Sequence, residues 1–312
     1  MPNIKFLAPL LAVLLLPVYM TAAQTDEFSS DPMIRTRQLI AKNRYDEALK
    51  LLMIVRQKFP GSDWSKQSYM LSASIYEKLK KNDDAIAEYK NVIQKYPDST
   101  SAEESYFAVA RLKESQDNDF QAIKAFEQYL KNYPKGSYTV MAIFNIASLY
   151  KNEGRHDDAL KYFSLILRDY PDEKWFHSWS AIYSGDIYLA RRDYNNAVES
   201  YQRVVKSKDN TFLYTLADLH RGQAYMAKKE YAAAIGIFNA VLKANKYFQE
   251  EALYGLGKAH YRLGEYDMAR EIYTSLLEMF PDTIWRPKVE KGLKLMDKKL
   301  EKQRKEDSDD DL

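Results

Sequence analysis

One short pattern recurs through this chain at nearly fixed spacing, and it limits the possible folds more than any other feature. It is seen in Tyr45-Asp-Glu-Ala48, Asp83-Asp-Ala85, Phe120-Gln-Ala122, Asp157-Asp-Ala159, Asn195-Asn-Ala197, Tyr231-Ala-Ala-Ala234 and Tyr266-Asp-Met-Ala269. Successive alanines are 37, 37, 37, 38, 37 and 35 residues apart. A period in this range means one structural unit copied along an array. Two further columns keep the period. Four residues after each alanine stands Leu52, Tyr89, Phe126, Phe163, Tyr201, Phe238 or Tyr273. Three residues further stands Val55, Val92, Tyr129, Ile166, Val204, Val241 or Leu276. Offsets of four and seven put all three on one side of a helix. Five units then reach a proline: Pro60, Pro97, Pro134, Pro171 and Pro281. Proline offers no amide donor and restricts the residue before it, so the helix ends there. The fifth and sixth units carry Asp209 and Lys246 at that place instead.

Twelve residues before each alanine lies a small residue: Ala73, Ala110, Ala147, Gly185, Gly222 or Gly257, with Thr36 in the first unit. Three residues later comes Tyr76, Tyr150, Tyr188 or Tyr225, with Lys113 and His260 in the third and seventh units. A small side chain lets two helices approach, and an aromatic one turn on fills the space beside it. Each unit therefore reads as a helix, a short turn and a second, antiparallel helix. Glycine and proline number only 10 each in 312 residues, about 3% against averages of about 7% and 5%, which fits a chain built of helices.

Taken together, these columns resemble the tetratricopeptide repeat family from about Asp31 to Pro281. The resemblance implies an all-α fold: a right-handed α-solenoid of about seven helix-turn-helix repeats over residues 31–282, closed by a capping helix at 283–305. The repeat is about three residues longer than the usual 34, and the surplus falls after the proline, as in Tyr96-Pro-Asp-Ser-Thr-Ser-Ala and Tyr133-Pro-Lys-Gly-Ser. That ending resembles the bacterial cell-envelope branch of the family, which includes the repeat subunit of the outer-membrane assembly machine and the periplasmic protein associated with Tol-Pal. Residues 286–305 hold nine basic and three acidic side chains, and 306–312 form an acidic tail expected to be disordered.

The N-terminus reads as a secretory signal peptide. One lysine precedes the apolar run Phe6–Met20, and Thr21-Ala22-Ala23 supplies small residues for cleavage before Gln24. Residues 24–30 are then a short linker. The expected location is the periplasm; the alternative is an uncleaved anchor facing it, because Phe6–Ala23 is 18 uncharged residues. The chain has no cysteine, so it can carry neither disulfides nor a lipid anchor on a cysteine. A net charge of +2 gives no reason to expect nucleic-acid binding.

No catalytic or metal-binding pattern emerges. The four histidines, His156, His177, His220 and His260, make no ligand pair at helical spacing, and His260 falls in the aromatic packing column. Gly255-Leu-Gly257-Lys-Ala-His260 lacks the third glycine and the preceding strand of a dinucleotide loop. Asp83-Asp84 and Asp157-Asp158 open second helices, where negative charge suits the helix dipole. The chain is thus read as a non-enzyme with no cofactor, metal or small-molecule substrate.

In the family that the columns resemble, first helices line the concave groove. Side chains there that avoid the packing columns are the candidate partner-binding residues: Met70, Phe107, Arg111, Phe144, Ser148, Trp179, Asp186, Tyr254 and Lys258. Aromatic and arginine side chains on such a wall suit an extended or helical peptide. Some family members hold a partner's terminal carboxylate with lysine and asparagine on this face; Met70, Ser74, Phe107 and Arg111 stand at those positions here, so that pattern is absent. The expected function is an exported scaffold or adaptor that binds protein or peptide partners, within an envelope complex. A periplasmic holding chaperone and a non-catalytic accessory of a cell-wall enzyme are the alternatives.

Overall fold

The computed structural model describes residues 31–207 and 210–310, with side chains described as far as Glu301. The signal segment 1–23, the linker 24–30, Asp209 and the last two residues lie outside the described part. The chain divides into two compact units, 1–101 and 102–312.

Unit 1 holds α1 (Pro32–Ala41), α2 (Tyr45–Lys58), α3 (Asp63–Lys78) and α4 (Asn82–Lys95). The boundary falls in the first turn of α5 (Thr100–Ser115). Unit 2 continues with α6 (Asp119–Asn132), α7 (Thr139–Asn152), α8 (His156–Asp169), α9 (Lys174–Ala190), α10 (Tyr194–Gln202), α11 (Thr211–Lys228) and α12 (Tyr231–Ala244). A 3-10 turn at Lys246–Phe248 leads into α13 (Gln249–Leu263), α14 (Tyr266–Met279) and α15 (Arg286–Asp310). Every described element is helical, and α1 to α14 form the seven expected pairs.

The sequence columns are the core. All seven alanines of the second helices are fully buried, and every residue four and seven positions later is at most 7% exposed. In the fifth, sixth and seventh pairs the aromatic four residues on lies against the glycine of its own first helix. A Cβ built on Gly222 would stand 2.6 Å from the Phe238 ring, and one on Gly257 2.5 Å from the Tyr273 ring; Gly185 faces Tyr201 in the same way. Glycine is thus required in these three units because the ring occupies the volume of a methyl group. Within unit 2, α7 touches α9, α9 touches α11, and α11 touches α13, so the first helices form a continuous layer.

A further periodic feature sits in the turns. Five residues before each alanine the backbone is left-handed: Asn43, Lys80, Asp117, Gly154, Arg192, Lys229 and Gly264, with φ between 55° and 85°. The amide of the next residue reaches back five residues, as from Lys81 to the Tyr76 carbonyl and from Glu230 to the Tyr225 carbonyl. This closes the first helix and starts the second within three residues. Asn, Asp and Gly adopt such a conformation at low cost, but Lys80, Arg192 and Lys229 carry local strain.

Proline marks helix ends as expected. α2, α4, α6, α8 and α14 stop one residue before the position preceding proline, at Phe59, Tyr96, Tyr133, Tyr170 and Phe280. Without that signal, α10 ends after only nine residues, whereas its counterparts have fourteen, and α12 runs into the 3-10 turn. At the C-terminal end α15 buries Val289 and Met296 in a cluster with Tyr273 and Leu276 of α14. Its helical backbone continues to Asp310, through most of the acidic segment expected to be disordered.

Two outcomes follow for thermal unfolding. Gly185→Ala is expected to lower Tm by several degrees, since the added methyl displaces the Tyr201 ring at a cost of about 1–3 kcal/mol. Lys229→Gly is expected to raise Tm by about 2 °C, because relief of the left-handed strain recovers about 1 kcal/mol.

Candidate functional site

The strongest candidate surface is a stripe on α9 in unit 2. Trp175, Trp179 and Tyr183 are four residues apart, so they stand on one side of the helix in successive turns. Their ring centroids are 6.2 Å and 5.2 Å apart in sequence order. From α7, the Phe144 ring supports the stripe at 5.5 Å from Trp175 and 6.1 Å from Tyr183. Lys151 of α7 places its ammonium 4.4 Å from the Tyr183 ring centroid. Trp175 is 45% exposed, while Trp179 and Tyr183 are half-buried. Burial, helped by the Asp186 charge, pushes the Tyr183 hydroxyl up to about 12, so it stays neutral.

Less than one turn beyond Tyr183, Asp186 joins three helices. Its Oδ1 accepts a hydrogen bond from the Tyr201 hydroxyl of α10 at 2.8 Å and lies 2.8 Å from His220 Nδ1 of α11. Burial and the Asp186 charge raise the Tyr201 hydroxyl far above its ordinary value, so it remains a donor. The stripe is therefore an aromatic ledge with a cation and a carboxylate–imidazole pair near its Tyr183 end. Such a ledge can hold apolar side chains and fix a peptide's direction by charge. Among the described residues no group of three or more His, Cys, Asp or Glu is placed to hold a metal ion.

The nine residues singled out from sequence do not form one site. Phe107 and Phe144, expected on the groove wall, are core side chains at 8% and 2% exposure. Phe107 stacks on Tyr138 at 4.7 Å and meets Phe126 at 5.6 Å; Phe144 meets Phe163 at 5.9 Å. Three residues before the small column, a side chain points at its own second helix and the next pair rather than outward. Tyr254 lies face to face on Trp285 at 4.2 Å, in the loop that precedes the cap. Ser148 is half-buried, and its hydroxyl is buried without a hydrogen-bond partner. Met70, in unit 1, is half-buried, and Lys258 is exposed. Only Trp179 and Asp186 belong to the ledge and its edge. Sequence reasoning missed Trp175, Tyr183, Lys151 and His220. The four-residue recurrence of Trp175, Trp179 and Tyr183 was the available signal.

Arg111 sits on α5 beside an unusual carboxyl. Burial, with the neighbouring Asp119 charge, raises Glu114 to about 7, and Arg111 offsets part of that rise.

A family profile described as "Tetratricopeptide repeat-like domain" matches residues 62–211, and one described as "Tetratricopeptide repeat" matches 184–247 and 219–283. Among solved structures, the C-terminal part of a tetratricopeptide-repeat protein from Cytophaga hutchinsonii is similar at TM-score 0.62 and 17% identity, covering 83% of this chain and 98% of that one. The apo form of RapI is similar at TM-score 0.57 and 14% identity, covering 82% and 77%. YrrB, described as having an unusual peptide-binding site, is similar at TM-score 0.50 and 17% identity, covering 65% and 97%. No curated protein matches the chain.

Glu114 gives a pH-dependent outcome. Its folded-state pKa is raised, so its contribution to stability is fully present below its unfolded value of about 4.5 and is lost as pH rises through about 7. Glu114→Gln removes that loss. Urea unfolding is expected to show the variant gaining on the wild type between pH 4.5 and 7, by roughly 2 kcal/mol at the top of the window, with no further gain above it.

Proposed function

We propose that this chain, which belongs to the tetratricopeptide-repeat family, is an exported adaptor that binds protein or peptide partners on the first-helix layer of unit 2. The observation that carries this reading is the α9 ledge. Trp175, Trp179 and Tyr183 form a continuous aromatic surface on a layer helix, and Trp175 remains 45% exposed. Large aromatic side chains dominate binding energy where they can be desolvated by a partner. Lys151 and Asp186 lie near the Tyr183 end of the ledge and supply charged groups for orienting the bound segment. The peptide-binding description attached to YrrB is compatible with this use of the fold.

The proposed setting is the cell envelope. The basic, apolar and small segments of residues 1–23 support export through a cleaved signal peptide, with the repeat domain then working in the periplasm. A role in an envelope assembly fits that location.

A peptide library selected on the purified protein tests the binding surface. Trp179→Ala is expected to weaken the selected peptides by about thirtyfold or more, the loss typical of an aromatic hot spot, with the helical circular-dichroism signal unchanged. Equal affinity for both forms would reject the ledge. Fractionation and N-terminal sequencing after bacterial expression test the setting: periplasmic protein beginning at Gln24 is expected, and cytoplasmic protein retaining Met1 would contradict export.

A further inference from the structure

Unit 1 contains a cavity of about 310 Å³, open to solvent, where the end of α2, the start of α3 and the end of α4 meet. It is lined by Arg56, Pro60, Gly61, Ser65, Tyr69, Lys95 and Tyr96, with no acidic side chain among them. Tyr69 is its floor. The Arg56 guanidinium lies 3.9 Å from the Tyr69 ring centroid, and Lys95 Nζ donates to the Tyr69 hydroxyl at 2.6 Å.

Arg56 is out of place by the rules of the repeat. The same column carries Ile93, Leu130, Leu167, Val205, Leu242 and Leu277 in the other six units. Here a cation replaces an aliphatic residue that in the other units is partly or largely exposed. It is held by Ser68 Oγ at 2.9 Å, Ser72 Oγ at 2.6 Å and Glu88 at 3.0 Å. Glu88 balances its charge, so Arg56 and Glu88 together are neutral. Lys95 is different: its partner is the uncharged Tyr69 hydroxyl, so Arg56, Glu88 and Lys95 together carry one net positive charge.

Two donors complete the picture. Ser65 is only 3% exposed and lines the cavity, where its hydroxyl is a donor. The Tyr69 hydroxyl accepts from Lys95, so its own proton is left to be given away. The mouth beside Gly61 is open, with nothing within 4 Å of where a Cβ would stand. The first turn of α3, capped by Ser62, adds the positive end of a 16-residue helix. Buried donors without acceptors cost free energy unless a ligand or water satisfies them.

We propose that this cavity is a binding site for a single carboxylate of a peptide, held by Lys95, Tyr69 and Ser65. One net positive charge matches a monoanion better than a doubly charged phosphate. The site stands apart from the α9 ledge and does not rest on the reading of that surface.

Amide NMR shifts of Gly61, Ser65 and Tyr96 in the purified protein test it with four probes: acetyl-Ala-Glu-Ala-amide, acetyl-Ala-Ala-Ala with a free C-terminus, acetyl-Ala-Gln-Ala-amide, and inorganic phosphate. Saturable shifts with at least one carboxylate peptide and none with the glutamine peptide are expected; the stronger of the two identifies side-chain or terminal carboxylate. Lys95→Met, at an exposed position, should weaken binding at least tenfold, and Ser65→Ala severalfold. Absence of saturable shifts with both carboxylate peptides would overturn the proposal. So would undiminished binding by Lys95→Met, or tighter binding of phosphate than of either peptide.

Discussion

The structure depends on one recurring contact between the helices of a pair, seen in the fifth, sixth and seventh pairs: a large side chain of the second helix seated on a glycine of the first. Phe238 on Gly222 and Tyr273 on Gly257 show how close this is, since a single added methyl would meet the ring at about 2.6 Å and 2.5 Å. The contact sets the distance between the two helices, and the left-handed turn residue five positions before the alanine sets their reversal. Because each pair is completed within about 37 residues, the next pair can stack on it without any long-range strand pairing or disulfide. The absence of cysteine is then no handicap: the interior of every pair is already filled by its own side chains.

This arrangement also decides where function can reside. The columns use the inward sides of both helices, so what remains for partners is the outward face of the first-helix layer and the ends of the pairs. In unit 2 the outward face carries the Trp175, Trp179 and Tyr183 ledge. In unit 1 the end of a pair carries the Arg56 and Lys95 cavity. Both involve departures from the repeat. The ledge puts two tryptophans on a single helix, and the cavity puts a cation where the other units have an aliphatic side chain. A third departure, the Asp218–Arg221 ion pair at 2.7 Å on α11, is 7% and 16% exposed, and burial raises the aspartate's pKa. An array of near-identical units leaves its individuality in such exceptions.

The architecture was legible because a period of 37 is visible in residue types alone. Ala48, Ala85 and their counterparts, and the columns after them, all proved to be core, and the prolines proved to close second helices. The turn column was not legible: Asn43, Lys80, Asp117, Gly154, Arg192, Lys229 and Gly264 share a backbone conformation but not a chemistry, so composition cannot reveal them. The candidate surface was only partly legible. Phe107 and Phe144 were expected to face outward because they avoid the named columns. A helix in a stacked layer, however, has three packed sides, against its own partner, the preceding pair and the following one. A rule built on intra-pair columns counts only the first. Trp175 was missed because it lies in the opening turn of α9, beyond the span the columns cover.

Hydrogen–deuterium exchange with and without a tightly bound selected peptide tests the central claim most directly, because it reads every helix at once. The account predicts slowed exchange in α7 and α9, centred on residues 175–186, with the second helices α8 and α10 unchanged except where they touch those turns. Protection confined to the second helices, or none in α9, would contradict it.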